Sequence, residues 1–449
     1  MGDFTGGSLR ALLMAQSSRL ARRIILLPFK QNCGFVVSMS MKFNQLLAMG
    51  VLGLLTLAGG NLLADDWPRW LGATGDNEAM TNRGFNPDLK QWHVEWQTNV
   101  GAGYSSVVEA KGRAATLGSD GHSNETVFCF DATNGTLRWK QTYSADPIAG
   151  SGMSGPISTP AFTEGGLVTV SRDGQIFCWS PETGSNIWKT NLIKILGVDL
   201  PKRGVGASPA VLANSVILNA GKMAAIDVYA GIVLWVSKES YAPSFTTPAT
   251  FEEPRRNKAY VASLDAGGLS ILDGSSGREL ARHSFKSNYD ITAISPMVMA
   301  RGAGIFISGS GGAELLNFDG TNLNARWSSK ELRNFQNNSV MAPAAGGIIG
   351  IDGPQDDPKS RLACIDLRTG NLVWARDTFG FGNTIGLGTS LLALNQSGEL
   401  VMGQPTREQF GEVSRMKLLG SKCWTTPTYA NGRIYLRNDQ GDVICLVGP

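Results

Sequence analysis

The sequence predicts an all-β fold: a single β-propeller of eight four-stranded blades carrying tryptophan-docking motifs, its ring closed by an N-terminal strand. Three observations predict it. The first is a repeated turn followed by Trp. The turn-leading residues Asp131, Ser180, Asp227, Asp273, Asp319 and Asp366 are spaced by 49, 47, 46, 46 and 47 residues. The second is a small or hydroxyl residue before Pro, in phase with the turns, at Thr159-Pro160, Ser208-Pro209, Thr247-Pro248, Ser295-Pro296, Ala342-Pro343 and Thr426-Pro427. The third lies inside each period, where alternating apolar runs are broken by hairpin turns. In one unit the breaks fall at Glu164-Gly165-Gly166, Arg172-Asp173-Gly174 and Glu182-Thr183-Gly184. Four short strands per period of this length read as a propeller blade.

The turn motif has a mechanical role. Asp131, Asp227 and Asp366 accept backbone N–H bonds across the turn, as Asx residues do, and Gly135 and Gly370 supply positive φ. Trp139, Trp188, Trp235, Trp327 and Trp374 follow on the outermost strand, where a large ring fills the wedge between blades. Burial of each ring contributes about 2–3 kcal/mol. These residues are read as structural staples.

Counting the blades requires the N-terminus. Residues 92–100, with Trp96, read as an outermost strand with no inner strands before it, while 424–447 supplies inner strands with no Trp strand after it. Joining them closes the ring. Units then end near Trp139, Trp188, Trp235, Leu280, Trp327, Trp374 and Val413, with the composite unit as the eighth. Seven is the alternative count, because 383–418 is the least regular stretch.

Composition agrees with this fold and narrows the function. The chain has 449 residues, 55 of them Gly, with 17% charged residues and a net charge of +3, and no basic stripe to hold a nucleic acid. Residues 41–64 read as a secretory signal: one Lys, an apolar run from Leu46 to Ala58, and cleavage after Ala64. The expected compartment is therefore exported, periplasmic. Residues 1–40 read as a non-native or mis-assigned extension, with translation starting at Met39 or Met41, and 65–449 as the propeller. No later segment is apolar enough to span a membrane. Of six cysteines, Cys129, Cys178, Cys364 and Cys445 occupy one repeat position, which Ala225 and Ala393 fill elsewhere, so they read as small buried thiols. Cys423 and Cys445 share one blade, and their pairing stays open. A closed ring leaves no free edge to pair, so a monomer is expected.

The segment Cys364-Ile365-Asp366-Leu367-Arg368-Thr369-Gly370-Asn371-Leu372-Val373-Trp374 resembles the pyrroloquinoline-quinone-like repeat of the quinoprotein alcohol dehydrogenase-like propellers. The resemblance covers about residues 65–449, and the opening Asp66-Trp67-Pro68-Arg69-Trp70 resembles the start of exported bacterial members. The family holds dehydrogenases and a non-enzymatic scaffold branch of the outer-membrane assembly machinery, and the chain reads nearer the latter. In the dehydrogenases the resemblance implies a funnel holding the quinone and Ca²⁺, a disulfide between adjacent cysteines, and an Asp base. This chain has no Cys-Cys pair, and no Glu/Asn/Asp calcium set can be assigned. No catalytic residue, cofactor or metal is therefore assigned; quinone and calcium belong only to the alternative reading below.

The place expected for binding is the segment entering each innermost strand, which in a propeller rings the central channel. The candidate funnel-lining residues are Tyr104, Met153, Arg203, Phe245, Tyr289, Gln336, Asn337, Asn383 and Trp424. Aromatic and amide groups of this kind suit a protein segment or a small polar ligand. The three histidines, His93, His122 and His283, have no zinc-binding spacing. The favoured function is a non-catalytic binding or scaffold propeller. The alternative is a divergent quinone-dependent oxidoreductase acting on alcohols or sugars.

Overall fold

A computed structural model describes residues 66–79, 85–148, 154–242, 244–253, 256–287, 292–420 and 422–449. The extension 1–40 and the secretory segment 41–64 lie outside the described residues. The strands form eight four-stranded sheets, each a blade. The first runs Val108–Ala110, Arg113–Ser119, Asn124–Asp131 and Leu137–Ser144 from the channel outward. The stretch that left the count open is a regular seventh blade, from Gly382–Leu387 to Phe410–Lys417, so the count is eight.

The eighth blade is composite. Thr428–Ala430, Arg433–Arg437 and Asp442–Val447 take His93–Asn99 as their outer strand, with His93 opposite Val447 and Asn99 opposite Asp442. Trp92 precedes this strand; its indole donates to the Asn86 carbonyl (2.9 Å), and its ring packs on Gly448. Arg437 rivets the closure. Its guanidinium is fully buried and donates to the carbonyls of Ser105 (2.8 Å) and Gly101 (3.2 Å) and to the Thr116 hydroxyl (2.8 Å) in and before the first blade. Burial lowers its pKa to about 9. Each sheet still ends in an outer strand with an open edge, so ring closure does not remove free edges and a monomer does not follow from it.

The Ser/Thr-Pro markers form a belt around the channel, except that Ala342-Pro343 ends the sixth blade's inner strand Val340–Ala342 and Asn338 takes its place in the belt. The Ser106 amide donates to the Thr159 hydroxyl (3.0 Å), Thr159 to Ser208 (2.9 Å), and Ser208 to Thr247 (2.8 Å). Further round, the Ser295 amide donates to the Asn338 side chain (2.9 Å). A short hydroxyl is needed here because it must satisfy the buried amide of the preceding blade.

The core lies between neighbouring blades, as where Val127, Trp139, Leu167 and Trp179 pack together. Each outer-strand Trp leans onto the next blade's turn. Trp139 donates to the Pro181 carbonyl (2.9 Å), Trp188 to Val228 (2.9 Å), Trp235 to Gly274 (2.9 Å), Trp327 to Leu367 (3.0 Å) and Trp96 to Ala132 (3.1 Å). The turn glycine has a second role here. A Cβ on Gly184 (φ 71°) would stand 2.6 Å from the Trp139 ring, and one on Gly231 2.7 Å from Trp188. Asp131, Asp227 and Asp366 each accept two main-chain N–H bonds across their turns. The five described cysteines are buried thiols, and burial pushes each up to about 12.

Candidate functional site

Antiparallel strands fix which connections share a face. Turns from inner to second strand and from third to outer strand lie on one face, and links between blades lie on the other. Residues 66–79 form a strap across the channel mouth on the turn face. Asp66 accepts from Asn431 of the eighth blade (3.0 Å), and Trp67 exchanges main-chain bonds with Glu109 of the first (2.9 Å each). The Pro68 carbonyl accepts from Phe162 of the second blade (2.8 Å), and Trp70 donates to the Ser295 hydroxyl of the fifth (3.2 Å). Asn77 and Ala79 then pair with Gly386 of the seventh (2.9 Å each).

Inside the channel the strap's Trp70 meets Tyr104, Phe245, Gln336 and Trp424 around a cavity of about 80 Å³. Tyr104 and Trp424 stack with ring centroids 5.8 Å apart, and the Lys422 ammonium lies 4.9 Å from the Trp424 centroid. Four of the sequence-selected residues are thus brought together. Asn337 and Asn383 are buried instead and hold the chain. The first donates to the Ile351 carbonyl (3.1 Å) and accepts from the Phe335 amide (3.1 Å); the second donates to the Trp424 carbonyl (2.9 Å). Arg203 is exposed in a turn, because the chain reaches the channel only from Gly204 onward. Met153 and Tyr289 lie outside the described residues. Trp70 escaped the sequence reading; its signal was a Trp outside every repeat slot.

Two carboxyls are shielded from solvent where the strap docks. Burial pushes Glu78 up to about 8, with the Asp76 charge adding to it. Burial likewise pushes Glu109 up to about 7, opposed by its hydrogen bond from Asn431 and assisted by Asp66. Beside the strap runs a groove of about 1060 Å³, walled by the turns of the first five blades. Lys111, Glu164, Glu252 and Arg301 line it. On the rim of the ring, Tyr229, Ile232 and Leu234 of the third blade are 51%, 62% and 55% exposed.

Metal-binding chemistry is sparse. Among the described residues no group of three or more His, Cys, Asp or Glu side chains is placed to hold a metal ion. His283 pairs with Glu314 (2.6 Å), away from the channel on its blade's outer strand, and His93 is exposed beside Glu95 (3.6 Å). No helix among the described residues is long and apolar enough to cross a membrane.

This ring, with its docked tryptophans, is a pyrroloquinoline-quinone-like propeller. Within that class, the chain belongs to the family described as outer membrane protein assembly factor BamB, whose model matches residues 123–376. Among solved structures it is similar to BamB from Moraxella catarrhalis, at 16% identity and TM-score 0.57, covering 78% of this chain and 98% of that one. It is also similar to the quinohemoprotein alcohol dehydrogenase from Comamonas testosteroni, at 13% identity and TM-score 0.66, covering 86% and 81%. A europium-containing methanol dehydrogenase matches at 11% identity and TM-score 0.63, covering 84% and 89%. At these identities the likeness is one of fold. No curated protein matches the chain.

Proposed function

We propose that the protein is an exported, periplasmic, non-catalytic scaffold propeller that binds a protein segment. The observation that carries this reading is the stoppered channel. In the dehydrogenase-like relatives' fold the funnel would house a cofactor, whereas here Trp70 enters it from the strap, and the cavity it lines with Tyr104, Phe245, Gln336 and Trp424 is about 80 Å³. Pockets for cofactor-sized ligands start at about 300 Å³. The lining offers aromatic rings, hydroxyls and one amide, while Ca²⁺ requires about six to eight converging oxygens. The residues present therefore do not fit a tricyclic quinone with calcium.

Three further observations support the reading. The matched family is described as an assembly factor, a role carried by contact with other proteins. Tyr229, Ile232 and Leu234 are large apolar side chains left exposed near one another in sequence, of the kind that protein partners cover. The secretory pattern of 41–64 supports export. The second reading, a quinone-dependent oxidoreductase, rests on fold likeness alone.

The test is a dye-linked oxidation assay on the purified chain supplied with pyrroloquinoline quinone and Ca²⁺, run across alcohols and sugars. No turnover above a denatured control is expected. Turnover that saturates with one substrate would replace this reading with the second.

A further inference from the structure

The strap shows how this ring takes hold of a peptide. In the inner strands of the first five blades, the residue three places after Ser106, Thr159, Ser208, Thr247 or Ser295 turns its main-chain N–H and C=O away from the second strand, toward the channel mouth. In the first blade this residue is Glu109, opposite Ala114, and both of its groups bond to Trp67. In the second blade it is Phe162, opposite Leu167, and its N–H meets the Pro68 carbonyl. Val211, Thr250 and Val298 hold the same place in the third, fourth and fifth blades, opposite Val216, Val261 and Ile305. The strap rises past these three edges to reach Ser295, and all three line the open groove of about 1060 Å³. The Val211 carbonyl accepts from the Thr250 hydroxyl (2.8 Å), which confirms that this side of the strand faces away from its own ladder.

Charge adds direction to the groove. Glu164 and Glu252, on the second and fourth blades, flank the Val211 edge. An extended chain laid over Val211 would bring its side chains between two carboxylates.

Resting on the reading of the chain as a binding propeller, we propose that this groove docks an extended segment of a partner protein built like the strap. The segment pairs its main chain with the inner edges of the third to fifth blades and places a basic side chain between Glu164 and Glu252. Main-chain pairing supplies affinity, and the acidic pair supplies selectivity.

The probe is a fluorescently labelled synthetic peptide with the sequence of residues 66–74, which carries Arg69 between two tryptophans. Anisotropy titration against the full chain is expected to give saturable binding with a Kd of roughly micromolar order. Glu252→Lys, at an exposed position, weakens it tenfold or more. Val211→Pro, which deletes the edge N–H without touching the ladder, does the same. Val413→Ser, on the outer strand of the seventh blade, leaves it unchanged. Absence of binding up to millimolar peptide overturns the proposal. Binding that survives both groove substitutions overturns it too, since the peptide then sits elsewhere, including in exchange with the strap at Glu109. Either failure without quinone turnover leaves the scaffold reading intact, whereas turnover removes that reading itself.

Discussion

Trp67 and Glu109 exchange main-chain hydrogen bonds at 2.9 Å in each direction, which docks the strap onto the innermost strand of the first blade. The Glu109 carboxyl beneath this pair is buried, accepts from Asn431 (3.0 Å), and lies near the charges of Asp66 and Arg433.

This burial makes stability depend on pH. The Glu109 carboxyl is raised from its ordinary 4.5 to about 7 in the folded chain. Below pH 4.5 it is protonated in both folded and unfolded states, so its contribution is fully present. Between 4.5 and about 7 only the unfolded state ionises, and stability falls as pH rises through that window. The loss is on the order of 2 kcal/mol. Urea denaturation at pH 5 and pH 8 measures it, and Glu109→Gln is expected to remove its share of the difference, with Glu78 and Glu125, also raised by burial, keeping the rest. An unchanged pH slope in that variant would place the effect on other groups.

The docking turns predict a coupled pair. Gly184 has φ 71° and lies under the Trp139 ring, whereas Gly112 has φ 72° with open space around it. Gly112→Ala is expected to cost about 1 kcal/mol from the backbone alone. Gly184→Ala should cost more, by about 1–2 kcal/mol, and that excess should vanish in a Trp139→Ala background. Chemical denaturation of the four variants gives the cycle. Equal losses at the two glycines would mean that the ring does not constrain the turn.

Ring closure predicts the effect of Arg437→Met. The variant removes the donors that meet the Ser105 and Gly101 carbonyls and the Thr116 hydroxyl, leaving buried acceptors unpaired. A loss of about 3 kcal/mol is expected, read as a lower denaturation midpoint. Faster amide exchange in His93–Asn99 should accompany it, because this strand closes the ring. Global loss with that strand still protected would contradict the rivet role.

The fold was legible because most blades repeat one solution: a turn aspartate, a turn glycine, a docked Trp and a marker hydroxyl recur at one period. The exception follows the same logic. The fourth blade has Ala281 in the Trp slot, opposite Ile271 as Trp235 is opposite Ala225, and the fifth blade's turn has Leu323 where the first four blades and the sixth have Gly. With no ring to cover that turn, Arg256 reaches over to donate to the Asp319 carbonyl (2.8 Å). The site was less legible. Position before the marker found Tyr104, Phe245, Gln336 and Trp424, but the same rule also selected Asn337 and Asn383, whose amides serve the chain itself. The strap carries no period, and Trp70 meets Ser295 across 225 residues, a contact that no local pattern encodes.

The central claim is that the strap-stoppered channel holds no redox cofactor, and calorimetric titration of the full chain with pyrroloquinoline quinone in the presence of Ca²⁺ tests it most directly. The account predicts no saturable heat, because Trp70 fills the channel mouth and the cavity it lines with Tyr104 and Trp424 is only about 80 Å³. Stoichiometric binding of micromolar or tighter affinity would contradict it.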